Sequence, residues 1–456
     1  MVCYTLYFAR DFARTKSLTV VRMKSVFSGR AVRYWIVIEG FDWGPSVSRI
    51  IIDGGKKAFS SELRPEGFSV YATQKDIPAK KGRNSSLNLR FPGSVVEEEP
   101  PADTSAFRKV LAAYRARRDG CADDTGRYIE LELENGPTVP ASSFLRYDKS
   151  VMRNISVRLE HTIKLPDGRS CRPEDCVGVR YAIADQFDMR GKFRYIDSRY
   201  GKVSLRYAFW SPVKKYPRTA KQNSEYPLII WLHGAGESGT DPLVALFGNR
   251  VTNLASDAIQ TSFSGAYVLV PQCPTMWMDD GSGGYSLDGN QKYSRALKGL
   301  IDRFIRAHHD IDPDRVYIGG CSNGGFMAIR LVVDNPAFFA AAFPACEGFD
   351  DEWLNEKTLR ALADTPLRLV HSKADATVPC ARYTEKLFSR LVAAGAADIS
   401  IYIPDSIIDK SGLYFGADGS PYAYNGHFSW VYVLDDACEF HDGKPLMEWM
   451  ASCRRK

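Results

Sequence analysis

The sequence predicts two domains of different class: an all-β sandwich over residues 31–160, then an α/β domain with a mainly parallel sheet over 201–456. Three observations carry this. Strand-like alternation with almost no helical signal dominates the first stretch. After Val203, apolar strands alternate with amphipathic helical segments. Within that second regime, the run Arg315-Val316-Tyr317-Ile318-Gly319 leads through Gly320-Cys321-Ser322-Asn323-Gly324 into a helical pattern that ends at Asn335-Pro336. Strand, G-x-S-x-G and helix in that order form the setting of a serine nucleophile held on a sharp turn.

Length and composition agree with two cores. The chain has 456 residues, enough for two or three domains, with 45% hydrophobic and 25% charged residues. A net charge of +6, spread along the chain, argues against a nucleic-acid partner. The basic clusters Arg115–Arg118 and Arg454–Lys456 read as solvated faces. No run reaches the ~18 apolar residues of a membrane span. Charges at Arg10, Asp11, Arg14, Lys16, Arg22 and Lys24 interrupt any apolar leader, so the expectation is no signal peptide and a cytoplasmic location. A different start site, near Met23 for example, leaves a secreted or periplasmic location open. Ten cysteines form no C-x-x-C pair and no zinc spacing, so no metal or cofactor is expected. Cys171 and Cys176 are close enough in sequence to bridge a loop; reduced thiols are the default.

Residues 1–30 give no clear signal. Val32, Tyr34, Ile36 and Ile38 alternate as a strand, followed by the turn 40–45, a strand over 47–53 and another over 67–72. Residues 75–86 have no assignable pattern, and 107–118 fits helix or strand. The segment 127–134 places Ile129, Leu131 and Leu133 on one face and glutamates on the other, as in a half-buried strand. Residues 155–159 repeat the pattern. Residues 161–200 read as a connector with one more strand. In the second domain, strands are expected at 203–210, 227–232, 266–270, 366–370 and 399–403. Helices are expected at 293–308 and 381–394, with Leu297, Leu300, Ile301, Phe304 and Ile305 on one helical face.

A serine hydroxyl needs a base to take its proton and an acid to orient that base. Asp375, in the loop after the 366–370 strand, is the acid the order Ser, Asp, His selects. Of seven histidines, His427 alone follows both and lies on a loop, Tyr424-Asn425-Gly426-His427. His161, His308, His309 and His441 read as surface residues, and His371 as structural. The negative charge that develops on a carbonyl oxygen needs fixed N–H donors. These are the backbone N–H of Asn323 and that of Ala235 in the loop His233-Gly234-Ala235-Gly236, with Gly234 as the neighbouring alternative. Cys321 reads as a small side chain packed beneath the turn. Gln272 and Trp277, after a strand end, are candidate substrate-pocket residues.

These motifs carry a resemblance. YPLIIWLHGAGESG (226–239), YVLVPQCP (267–274), RVYIGGCSNGGFMAIRL (315–331), HSKADATVP (371–379) and YNGHFSWVYV (424–433) resemble α/β-hydrolase esterases of the polyhydroxybutyrate-depolymerase and feruloyl-esterase type, often called prolyl-oligopeptidase-like. FDWGPSVSRIIID (41–53), GFSVYA (67–72) and GRYIELELE (126–134) resemble the immunoglobulin-like N-terminal domain found on a subgroup of these esterases. The resemblance implies hydrolysis of short-acyl or aromatic, feruloyl-type esters, the alcohol being a small molecule or a carbohydrate. The alternatives are a serine peptidase on the same framework, or a catalytically silent carbohydrate-binding protein. For the sandwich, three roles are open: binding carbohydrate, restricting the mouth of the site, or building a homo-oligomer.

Overall fold

The computed structural model describes residues 32–55, 63–76, 103–117, 120–142, 151–165, 168–218, 225–286 and 288–455, with short strands at 6–8, 18–20 and 145–146. The described chain divides into two compact units, one ending at Asp185 and the other starting at Gln186.

The first unit is built of strands. β1 (Tyr34–Phe41), β2 (Gly44–Asp53), β3 (Val70–Asp76), β4 (Asp103–Arg108), β5 (Val110–Ala116), β6 (Tyr128–Leu133), β7 (Leu145–Arg146), β8 (Val151–Leu159) and β9 (Cys176–Tyr181) form two sheets, ordered β9-β1-β2-β6-β5 and β4-β3-β8-β7. The inward rows Tyr34/Ile36/Ile38, Ile50/Ile52 and Ile129/Leu131/Leu133 are buried, as period-2 alternation requires. The ambiguous 107–118 segment is strand: β5 pairs with β6 from Val110–Leu133 to Ala116–Tyr128. Glu130 departs from the expected solvent face. It is buried because β6 lies inside its sheet, and Arg49 pairs with it at 2.5 Å. Most of the unassigned 75–86 stretch lies outside the described residues.

Residues 161–200, read as a connector with one more strand, hold strands of both units. Cys176–Tyr181 joins the first sheet in parallel with β1, and β10 (Asp188–Asp197) already belongs to the second unit. A strand-to-strand handover at about residue 185 has no compositional mark, which is why the sequence reads as a linker there. Cys171 and Cys176 are both buried, and no disulfide joins them.

The second unit is an eight-stranded sheet. With β11 (Gly201–Trp210), β12 (Tyr226–Leu232), β13 (Tyr267–Gln272), β14 (Ile311–Cys321), β15 (Ala341–Ala345), β16 (Leu367–Val370) and β17 (Ile399–Tyr402), the order is β10-β11-β13-β12-β14-β15-β16-β17. The six strands from β13 to β17 run parallel; β10 and β11 are antiparallel at one edge. β12 is buried at all seven positions, the signature of a strand covered on both faces. Helices α1 (Pro242–Phe247), α2 (Asp257–Phe263), α3 (Ser294–Ala307), α4 (Asn323–Asp334), α5 (Glu356–Ala363), α6 (Thr384–Ala393), α7 (Trp430–Leu434) and α8 (Leu446–Ser452) complete the unit. α3 buries Leu297, Leu300, Ile301 and Phe304 in the core cluster. His308 at its end is half-buried, not on the surface. Its ring lies 4.2 Å from Phe304 and its Nδ1 2.9 Å from the Phe304 carbonyl.

Chain order places β13 on one side of β12 and β14 on the other. Strand order therefore reverses at β12, and the loops leaving the carboxyl ends of β12 and β14 flank this switch point. Leu232 faces Gly320 in the register of these two strands, so the His233–Gly236 loop and the Ser322 turn lie side by side.

Candidate active site

Ser322 sits between β14 and α4 with φ 54° and ψ −116°, a backbone state that costs a non-glycine residue about 1–3 kcal/mol. The surroundings impose it. The Ser322 N–H donates to the Ala345 carbonyl at 2.9 Å, and its carbonyl accepts from Phe326 at 3.0 Å. Close packing requires glycine on either side. A Cβ on Gly320 would lie 2.6 Å from the Leu232 carbonyl oxygen, and one on Gly324 only 2.0 Å from it.

Asp375 and His427 are brought together. His427 Nδ1 lies 2.7 Å from Asp375 Oδ2. The acceptor is a carboxylate, so Nδ1 carries a proton. The two loops touch, since a Cβ on Gly426 would meet the Ala374 carbonyl oxygen at 2.1 Å. The His427 N–H donates to Asn425 Oδ1 at 2.9 Å, and its ring stands edge-on to Trp430 at 5.5 Å. Asp375 Oδ1 accepts from the N–H groups of Thr377 and Val378, both at 2.8 Å. Burial works to raise the Asp375 pKa, but His427 and His371 outweigh it and hold the carboxyl well below the usual carboxylate range.

The turn and these loops share one sheet edge. Cys321 pairs with Ala345 and Ala345 with Val370 in register, and the Cys346 N–H donates to the Val370 carbonyl at 2.8 Å. The Cys346 thiol faces the Ser322 backbone and the Ser429 side chain, where burial first and the Asp375 carboxylate second push it well above the ordinary thiol range.

The oxyanion candidates line the neighbouring strand ends. Asn323 is the first residue of α4 and Ala235 the first of a 3₁₀ turn over Ala235–Glu237, so neither N–H has an acceptor within its own helix. Gly234 packs against Cys321, to whose sulfur a Cβ on that glycine would come within 3.6 Å. His233 is a buried strut: its Nε2 accepts from the Cys273 N–H at 2.9 Å, so Nδ1 is the protonated nitrogen and donates to the Gly234 carbonyl at 2.6 Å. The Cys321 thiol is buried, and burial reinforced by the Glu237 carboxylate pushes it well above the ordinary thiol range.

The side chains of Gln272 and Trp277 turn into the protein interior. Both are fully buried. Gln272 donates to the Glu237 carbonyl, and Trp277 donates from its indole to the His233 carbonyl at 3.0 Å and from its backbone to Asn323 Oδ1 at 2.6 Å. They brace the two oxyanion loops from beneath. A position after a strand end signals proximity to the site but not which way the side chain turns. The sequence reading also missed the contacts of His371, whose Nε2 lies 3.0 Å from Asp375 Oδ2. Among the described residues, no group of three or more His, Cys, Asp or Glu side chains is arranged to hold a metal ion. No helix among them is long and apolar enough to cross a membrane.

Comparison with known proteins defines the class. Residues 33–169 match the esterase Ig-like N-terminal domain, and residues 218–394 match the phospholipase/carboxylesterase family. The chain thus joins a segment similar to the esterase Ig-like N-terminal domain to an α/β domain similar to the phospholipase/carboxylesterase family. Ser322 and Asp375 fall inside the second match and His427 beyond it. Poly(3-hydroxyalkanoate) depolymerase C of Paucimonas lemoignei is 32% identical over 127 residues, covering 25% of this chain and 30% of the depolymerase. Acyl-protein thioesterase 1 of Debaryomyces hansenii is 28% identical over 198 residues, covering 40% of this chain and 83% of the thioesterase. The crystal structure of a thermostable esterase aligns over 93% of this chain and all of its own, with TM-score 0.66 and 23% identity, a likeness of fold.

Proposed function

We propose that this protein is a serine esterase that cleaves carboxylic esters through an acyl-enzyme, with Ser322 as nucleophile, His427 as base and Asp375 as the orienting acid. The observation that carries the reading is the 2.7 Å contact between His427 and Asp375, presented from the same sheet edge as the strained Ser322 turn. His427 Nε2 takes the hydroxyl proton as Ser322 Oγ attacks the ester carbonyl. The carbonyl oxygen becomes an oxyanion, held by the N–H groups of Asn323 and of Ala235 or Gly234. The imidazolium then gives the proton to the departing alcohol, leaving an acylated Ser322. Water repeats the sequence, with His427 first as base and then as acid, and releases the carboxylate.

The acyl group proposed is short or aromatic, of feruloyl type, and the alcohol a small molecule or a carbohydrate. The domain boundaries proposed are a sandwich from about residue 32 to 185 and a catalytic domain beyond it. The test is a panel of p-nitrophenyl esters of graded acyl length, with feruloyl, acetyl-sugar and acyl-thioester substrates, run beside aminoacyl-p-nitroanilides. Ester turnover that disappears in Ser322→Ala supports the reading. Faster turnover of the anilides would replace it with a peptidase.

A further inference from the structure

Behind the Asp375 carboxylate lies a buried chain of polar groups that the reaction above does not use. His371 Nε2 lies 3.0 Å from Asp375 Oδ2 and 2.9 Å from the Val378 carbonyl. Both are acceptors, so Nε2 carries a proton. His371 Nδ1 lies 2.7 Å from Thr384 Oγ1, and Thr384 Oγ1 lies 2.8 Å from Glu347 Oε1. The other Glu347 oxygen accepts the Phe349 N–H at 2.6 Å. His371 and Thr384 are fully buried and Glu347 is 1% exposed.

Counting protons constrains this chain. Two links, Glu347 to Thr384 and Thr384 to His371, need two protons, and the hydroxyl supplies one. The second belongs either to Glu347, leaving His371 neutral, or to His371 Nδ1, leaving Glu347 a carboxylate. The second arrangement buries two charges on opposite sides of one hydroxyl, and Glu347 then keeps only a single backbone donor and that hydroxyl. Desolvation penalises this arrangement. The titratable groups facing Glu347 are His371, Asp350, Cys346, Cys380 and Tyr383. Of these only His371 offers positive charge, while burial and Asp350 favour the neutral acid.

We propose that Glu347, Thr384 and His371 form a one-way hydrogen-bond relay that positions Asp375, with Glu347 as a neutral acid donating to Thr384, Thr384 donating to His371 Nδ1, and His371 Nε2–H donating to Asp375 Oδ2. Asp375 then receives four donors, two on each oxygen, and its carboxylate plane is fixed toward His427. The second donor on Oδ2 also draws charge from the oxygen that stabilises the His427 imidazolium. His371 is a positioning residue, acting on the reaction only through Asp375. This inference rests on the reading of Asp375 and His427 as acid and base.

Two experiments test it. In the resting protein, histidine-selective ¹⁵N–¹H spectra from pH 5 to 8 are expected to show His371 with one proton, on Nε2. A doubly protonated His371, or a proton on Nδ1 alone, overturns the relay whether or not an ester is turned over. In kinetics, His371→Leu removes a donor from Asp375 and makes the carboxylate a stronger partner for the imidazolium. The acid limb of the kcat/KM profile is expected to move up by about half a pH unit, with kcat down about tenfold and KM little changed. An unmoved limb overturns the positioning role. Glu347→Gln donates to Thr384 as the neutral acid does, and is expected to retain about tenfold more of kcat than Glu347→Leu. Equal damage by the two points to a charged Glu347 and overturns the proton assignment; this pair decides the matter even if His371→Leu fails to fold. Loss of the function reading itself is recognised separately, by wild-type turnover that survives Ser322→Ala.

Discussion

The imidazole of His427 donates from Nδ1 to Asp375 Oδ2 across 2.7 Å, joining two loops whose partners lie 52 residues apart in sequence. One carboxylate oxygen fixes both the tautomer and the tilt of the ring.

Replacing that oxygen by an amide removes both effects. Asp375→Asn is expected to lower kcat by about 10⁴-fold with KM changed by only a few-fold, because the wrong imidazole tautomer faces the serine. The stability consequence has a definite sign. Burial opposes ionisation of Asp375, but its two histidine partners hold its folded pKa below the unfolded value of about 3.9. Its ionised form therefore stabilises the fold above that value, and this contribution is lost as pH falls through the lower folded value. The Tm difference between wild type and Asp375→Asn is expected to be constant above about pH 5 and to narrow below about pH 4. Thermal melts across that range check it; a difference that widens on acidification contradicts it.

Gly324 leaves no room for a methyl group, since a Cβ there would lie 2.0 Å from the Leu232 carbonyl oxygen. The listener to this clash is backbone, which yields only if α4 moves away from β12. Gly324→Ala is expected to cost about 1–3 kcal/mol or more in denaturant unfolding, and to lower kcat about 10²-fold by shifting Ser322 against the Ala235 loop. Gly67→Ala, with nothing within 4 Å of the new methyl, is expected to change stability by less than about 0.5 kcal/mol.

Cys321 adjoins the nucleophile but is sealed beneath it, and burial disfavours its thiolate. Iodoacetamide at pH 7–8 is expected to leave ester turnover intact, and Cys321→Ala to retain turnover within about tenfold. Inactivation that Cys321→Ala abolishes would assign the chemistry to the thiol.

Much of this was legible before any coordinates. Parallel strands buried on both faces read as continuous apolar runs, so β12, β14 and β16 stand out in YPLIIWL, RVYIGG and PLRLV. Ser322 and Asp375 lie just past the ends of β14 and β16, and His427 follows them on the loop between β17 and α7. Local pattern cannot supply direction or long-range pairing. Gln272 and Trp277 occupy positions adjacent to the site, yet their side chains turn inward to brace Glu237 and His233, while the Trp277 backbone N–H holds Asn323. Thr384 and Glu347 lie 13 and 37 residues from their partners in the chain behind Asp375, on a helix and a loop that carry no motif. The fate of Glu130 was hidden for a similar reason: alternation shows two faces of a strand, but not that Arg49 from the neighbouring strand covers the second.

The central claim is that Ser322 is the nucleophile. Intact-mass analysis of the full-length protein treated with a fluorophosphonate tests it most directly. The account predicts one adduct per chain, located by peptide mapping on Ser322, absent in Ser322→Ala and strongly slowed in His427→Ala. Wild-type protein that takes up no label, or label that persists on Ser322→Ala at an unchanged rate, would contradict it.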